Sequence, residues 1–123
     1  MEFIGTQPIY LQIVDLIAEN ILSRKWVEGE RLASVRELAI QIEVNPNTVL
    51  RSFTYLQNRN VIFNKRGIGY FVAESAYEVL LNIKRTEFIK KNAPQFFRTM
   101  DLLDIKISEL NRLYTLYKKE HHS

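Results

Sequence analysis

Apolar residues recur at three- and four-residue steps from Ile9 through Ile13, Leu16, Ile17 and Ile21, with Val14 and Leu22 widening the stripe. Asp15, Glu19 and Asn20 fall between them, so the pattern predicts an amphipathic helix from Pro8 to about Arg24. Pro8 suits its first turn, where no intrahelical N–H is lost. The run Trp26-Val27-Glu28-Gly29-Glu30 breaks the period, with Gly29 as the turn residue. A second, short helix starts at Ser34, because Glu37 stands at the reciprocal capping-box spacing, and Val35, Leu38, Ala39 and Ile42 supply its buried face. Glu43-Val44-Asn45 is a tight turn. A third helix follows with Asn45 as N-cap and Pro46 in its first position; Val49, Phe53 and Leu56 form its core stripe, and Asn60 is its left-handed stop.

The period then changes. Val61-Ile62-Phe63 and Tyr70-Phe71-Val72 read as two strands joined by Lys65-Arg66-Gly67-Ile68-Gly69, a hairpin. From Ser75 the chain is helical again over 76–91. Ala93-Pro94 interrupts that helix and starts another from Gln95 to about Leu103, and Ser108 caps a last helix bearing Leu110, Leu113, Leu116 and Tyr117. The predicted fold is mainly α with a small β-hairpin wing: a winged helix-turn-helix over residues 1–74, followed by a short helical region over 75–123. That region carries more apolar surface than it can bury alone and must pack on the first domain, on a second copy, or on both.

Composition narrows the function. The 123 residues are 46% apolar and 25% charged, an ordinary globular balance, so wholesale disorder is excluded. No cysteine is present, which removes disulfides, thiolate metal sites and cysteine nucleophiles. No apolar run approaches the roughly 20 residues of a membrane helix, and MEFIGTQPIY lacks a signal-peptide core, so a cytoplasmic location is expected. The only histidines, His121 and His122, adjoin the last residue. No phosphate-binding glycine motif precedes a helix, and no acid–histidine–nucleophile set can be assembled. Asp101 and Asp104, three apart on one helical face, read as a solvated pair. No catalytic residue, metal site or cofactor is therefore expected, and the chain does not read as an enzyme.

The net charge of +3 is a blunt clue. Residues 1–43 hold four basic and seven acidic side chains, whereas residues 44–74 hold four basic and one acidic. The third helix and the hairpin are thus the basic part of the leading domain, as a polyanion-binding surface requires.

A recognition helix entering a major groove needs short polar groups in its first turn. Asn47 and Thr48 satisfy this, and Arg51 points from the same face, able to reach a guanine or a phosphate. Taken alone, these residues would merely cap a helix and solvate it; their place after a capped eight-residue helix and a short turn favours DNA. Ser34 offers a hydroxyl and Arg36 a charge to the phosphate backbone, although Ser34 can also simply cap and Arg36 pair with a carboxylate. Lys65, Arg66, Gly67 and Gly69 make a basic hairpin tip whose backbone can approach a groove, or an ordinary solvated turn. Arg59, at the end of the third helix, reads as a surface residue, with phosphate contact the lesser alternative.

These residues resemble a known family. Pro8-Ile9-Tyr10-Leu11-Gln12-Ile13, Gly29-Glu30-Arg31-Leu32-Ala33-Ser34-Val35-Arg36-Glu37-Leu38-Ala39, Val44-Asn45-Pro46-Asn47-Thr48-Val49 and Arg66-Gly67-Ile68-Gly69-Tyr70-Phe71-Val72 are similar, in order and spacing, to the GntR family of bacterial transcription factors. Too few residues remain for the large effector domains of most members, so the chain resembles the short YtrA-type branch, and Phe96 to Ile105 looks like its tail.

The resemblance implies a homodimeric regulator of a double-stranded operator with pseudo-palindromic half-sites, a repressor in the likeness of a branch that often controls transporter operons. It implies DNA contacts at Ser34, Arg36, Asn47, Thr48, Arg51 and Gly67; the reading of the residues themselves adds Asn45, Lys65, Arg66 and Gly69 to the expected DNA-binding set. The resemblance also implies dimerisation through the tail, for which Leu80, Ile83, Phe88, Phe96, Phe97, Leu102, Leu103, Leu110, Leu113 and Tyr117 are the candidates. Two departures stand out: Ala33 replaces a common proline, and Asn60 a frequent glycine, which Asn can mimic at positive φ. No polar cluster in the tail marks a pocket for a small-molecule effector. The competing expectation is a winged helix that binds protein instead of nucleic acid.

Overall fold

The computed structural model describes residues 7–121. The first six residues, part of the stretch read above for a leader, and His122 lie outside the described residues. Six α-helices and one hairpin follow in the order α1 (Ile9–Leu22), α2 (Val35–Ile42), α3 (Pro46–Asn58), β1 (Ile62–Lys65), β2 (Gly69–Val72), α4 (Ala76–Glu87), α5 (Ala93–Leu102) and α6 (Ile107–His121), with a π turn at Phe88–Asn92. The mainly helical fold with its hairpin wing is the expected one.

Local chemistry explains the element ends. Ser34 Oγ accepts the Glu37 N–H at 3.0 Å, while Glu37 Oε1 accepts the Ser34 N–H at 3.0 Å, a complete capping box that starts α2. Glu43 then turns the chain in the left-handed region at φ 56°. Asn60 does the same after α3 at φ 62°, as its side chain permits.

The hairpin differs slightly from expectation. Val61 lies just outside β1, and the strand runs on to Lys65, which pairs with Gly69. The loop after α1 also joins the sheet, unanticipated from the pattern. Gly29 N–H donates to Val72 O at 2.8 Å, Val72 N–H to Glu30 O at 2.9 Å, and Leu32 N–H to Tyr70 O at 2.9 Å, with Arg31 bridged to Phe71. This covers much of the second edge of β2.

The chain divides into two compact units, one reaching Ile83 and the other beginning at Lys84. In the first, Ile13, Ile17, Val49, Phe53, Leu56, Val61, Ile62 and Val72 are buried almost completely. Ala76 and Leu80 of α4 belong to this same core. The break between units thus falls two helical turns later than the residue-74 boundary read from the sequence. Periodicity shows that α4 has an apolar face, not which unit that face joins.

In the second unit, the interruption expected at Ala93-Pro94 is a π turn. Ala93 N–H donates to Phe88 O, one residue further back than an α-helix would reach. Pro94 has no N–H, and its ring would clash with the carbonyl four residues earlier; widening the preceding turn relieves that conflict. At the end of α5, Leu103, Asp104 and Ile105 fold their N–H groups back on Thr99, Asp101 and Met100, with Asp104 at φ 55°. Asp104 therefore lies past the helix, and the expected shared face with Asp101 is not formed; its carboxylate pairs with Lys106 at 2.7 Å. Ser108 sits inside α6, not at its cap, because the helix begins at Ile107 with Lys106 O accepting from Glu109 and Leu110. Among the described residues of this unit only Met100 is buried.

Candidate nucleic-acid interface

The third helix is fixed at its start by its own sequence. Asn45 Oδ1 accepts the Asn47 N–H at 2.8 Å, its carbonyl takes Thr48 and Val49, and Pro46 occupies the first turn. Asn45 is thus committed to the cap, with only its amide N–H groups left for a ligand. Val49, Ser52, Phe53 and Leu56 point into the core, which turns Asn47, Leu50, Arg51, Thr54 and Asn58 outward.

Ser52, fully buried, donates its hydroxyl to Tyr10 O across the α1–α3 contact at 2.7 Å, with Thr48 O a second acceptor at 3.2 Å. A buried hydroxyl needs such a partner, and here the bond also fixes the first turn of α1 beside the first turns of α3. Asn47, Thr48 and Arg51 consequently line one shallow groove together with Pro8, Ile9 and Tyr10.

Several side chains of this face were not singled out in the sequence. The Arg51 guanidinium lies 3.8 Å above the centre of the Tyr10 ring, and the Tyr10 and Tyr55 rings meet edge to face at 6.3 Å. Arg59, read first as a surface residue and second as a phosphate contact, stacks on Tyr55 at 3.4 Å and donates to its carbonyl at 3.1 Å. Leu50, 45% exposed, puts an apolar group in the groove shared by Tyr10, Asn47 and Arg51. The tyrosines gave no local signal, because their arginine partners come from another helix or the next turn.

Ser34 and Arg36 sit at the start of α2, Ser34 half-buried and Arg36 exposed. Ser34 Oγ accepts the capping bond from the Glu37 N–H at 3.0 Å. The backbone and hydroxyl hydrogen bonds from Ser34 hold the Glu37 carboxyl below its usual range, with a smaller contribution from Arg31.

The wing tip exposes Lys65, Arg66 and Gly67. Gly67 takes φ 78°, closing the turn in which Ile68 N–H donates to Lys65 O at 2.9 Å. Lys65 Nζ lies 4.8 Å from the Phe71 ring centre, and Phe71 stacks on Phe63 at 5.7 Å. Gly69, expected to bring backbone to a groove, has a second task. A Cβ there would meet Arg31 Nε at 3.0 Å, so the glycine at φ 144° leaves room for a further guanidinium at the wing. Arg31 is the basic residue of this region that the sequence pattern did not flag. The wing is tied to α3 through Phe53, whose ring packs edge-on against Tyr70 at 4.8 Å.

In the second unit, Phe88, Phe96, Phe97, Leu102, Leu103, Leu113 and Tyr117 are exposed, and Ile83 of the first unit and Leu110 are half-buried. Leu80 is different: it is buried in the core of the winged unit and is not available to a second copy, which removes it from the dimerisation candidates. No group of three or more metal-ligating side chains occurs among the described residues, and none of the described helices is long and apolar enough to cross a membrane.

Comparison with known proteins fits this geometry. Residues 9–72 match the model of the bacterial regulatory proteins of the gntR family. The HTH-type transcriptional repressor YtrA of Bacillus subtilis is 34% identical over 107 residues, 87% of this chain and 82% of that protein. The HTH-type regulator YhcF of the same organism is 41% identical over 75 residues, 61% of this chain, and the match spans only 62% of YhcF. A GntR-family regulator from Bacteroides thetaiotaomicron, solved by crystallography, superposes with a TM-score of 0.73 at 41% identity over 94% of this chain and all of that one. These relatives are regulators and not enzymes, and they share both the winged unit and, for YtrA and the Bacteroides protein, the short tail. The chain belongs to the GntR family of bacterial helix-turn-helix transcriptional regulators, in its short YtrA-like form.

Proposed function

We propose that the chain is a homodimeric repressor that reads a pseudo-palindromic operator through α3 and the wing. The observation that carries this reading is the outward face of α3. Its capped start presents Asn47 and Thr48, with Arg51 one turn on, and the same unit carries an exposed hairpin tip bearing Lys65 and Arg66. Asn47 and Arg51 supply hydrogen bonds to base edges, Leu50 an apolar contact for a thymine methyl, Ser34 a hydrogen bond to a phosphate, and Arg36 and the wing cations neutralise phosphates. The name of YtrA supports repression; occlusion of polymerase at the operator is the mode this reading takes.

The unit from Lys84 onward supports the dimer. Its exposed phenylalanines and leucines form more apolar surface than a lone soluble unit ordinarily leaves in water. Two recognition helices joined in this way would meet half-sites about one helical turn, roughly 34 Å, apart. Selection of bound sequences from a random duplex pool tests all of this together. Enrichment of an inverted repeat with that spacing is expected. Enrichment of a single unpaired motif would reject the dimeric reading, and failure to bind any duplex at low salt would favour a protein-binding winged helix.

A further inference from the structure

Arg51 is exposed, yet it is not loosely placed. Its guanidinium carbon lies 3.8 Å over the Tyr10 ring centre, the distance of a cation–π stack. Tyr10 is itself held from two sides: its carbonyl accepts the buried Ser52 hydroxyl at 2.7 Å, and its ring meets Tyr55 edge to face. A long arginine side chain on a free helix surface loses rotamer freedom when it binds a ligand, and that loss subtracts from affinity. A guanidinium stacked on a fixed ring has lost part of it beforehand. Stacking uses the face of the guanidinium and leaves its in-plane N–H groups for a phosphate or a guanine edge.

We propose that Tyr10, from the first turn of α1, is a positioning residue for DNA binding that holds the Arg51 guanidinium ordered on the recognition face. This rests on the operator-binding reading above. Tyr10 acts through Arg51, so its contribution vanishes when Arg51 is absent. The stack also strengthens as the docking duplex excludes water from it.

The test measures anisotropy of a labelled duplex, taken from the random-pool selection, with the 123-residue chain and its Tyr10→Leu, Tyr10→Phe, Arg51→Ala and Tyr10→Leu/Arg51→Ala variants. Tyr10→Leu should weaken binding about two- to fivefold, the range a surface cation–π contact spans. Tyr10→Phe, which keeps the ring, should bind like the parent, and the double variant should bind no more weakly than Arg51→Ala alone. Parental affinity in Tyr10→Leu, or losses that multiply in the double variant, would overturn the proposal. A second readout needs no substitution. The δ-protons of Arg51 should resonate upfield of ordinary arginine in the unaltered chain because they adjoin the guanidinium that lies over the ring, and ordinary shifts there would also overturn it. If the unaltered chain bound no duplex at low salt, the operator reading itself would fall, a result distinct from binding that ignores Tyr10.

Discussion

Substituting Phe53 by leucine removes the side chain that ties the recognition helix to the wing. Phe53 is fully buried, and its ring packs edge-on against Tyr70 at 4.8 Å with the planes 79° apart. Leucine is about three carbons smaller, which at ~0.8 kcal/mol per buried methylene costs about 2.4 kcal/mol. Loss of the ring-edge contact adds ~0.5–1.5 kcal/mol, and partial collapse of the neighbours recovers a similar amount. A net loss of about 2–3 kcal/mol is expected. A domain of ordinary stability, ~5–15 kcal/mol, remains folded after it. Urea unfolding followed by circular dichroism should show the midpoint fall by roughly 1–2 M with the slope unchanged. A loss below about 1 kcal/mol would refute the packing of α3 on β2 described above.

Three other outcomes follow from the same geometry. Ser34→Ala should cost about 1 kcal/mol in thermal or urea unfolding by opening the capping box, and should return the Glu37 carboxyl toward its usual pKa by NMR titration. Because the folded-state pKa of Glu37 is depressed, its stabilising effect is present above the ordinary carboxylate range. It disappears as pH falls through the folded value, so the stability gap between the parent and Ser34→Ala should narrow in acid. Arg51→Ala should weaken binding to a selected operator by ~1–3 kcal/mol if it meets a base edge; unchanged affinity in a gel-shift titration would remove it from the interface. A chain ended after Ile83 keeps Ala76 and Leu80 in the winged core and should sediment as a monomer. A truncated chain that still sediments as a dimer would refute tail-mediated association.

What the sequence made legible is what local chemistry decides. Ser34 with Glu37, and Asn45 with Pro46, define helix starts within three residues of chain, and the structure forms both. Asn60 reads as a left-handed stop because few other side chains tolerate that backbone, and it takes φ 62°. The features that escaped depend on partners distant in sequence. Leu80 looks like any apolar residue of an amphipathic helix, and only the tertiary contact shows that it joins the winged core. Tyr10 and Arg51 are far apart along the chain and meet because Ser52 anchors α1 on α3. Arg31 reaches the wing because a loop adds itself to β2, a pairing that alternation of polarity cannot reveal in so short a segment. Pro94 announced a break, but whether a helix kinks, ends or widens into a π turn depends on its surroundings.

The central claim is that the outward face of α3 and the wing tip form the DNA surface. Backbone amide mapping by NMR as a selected duplex is titrated into the labelled chain tests it most directly. Perturbations should concentrate at Ser34 to Arg36, Asn47 to Arg51 and Lys65 to Gly69, weaken together as salt rises, and spare the exposed side of α6. Perturbations confined to the tail, or none at low salt, would contradict it.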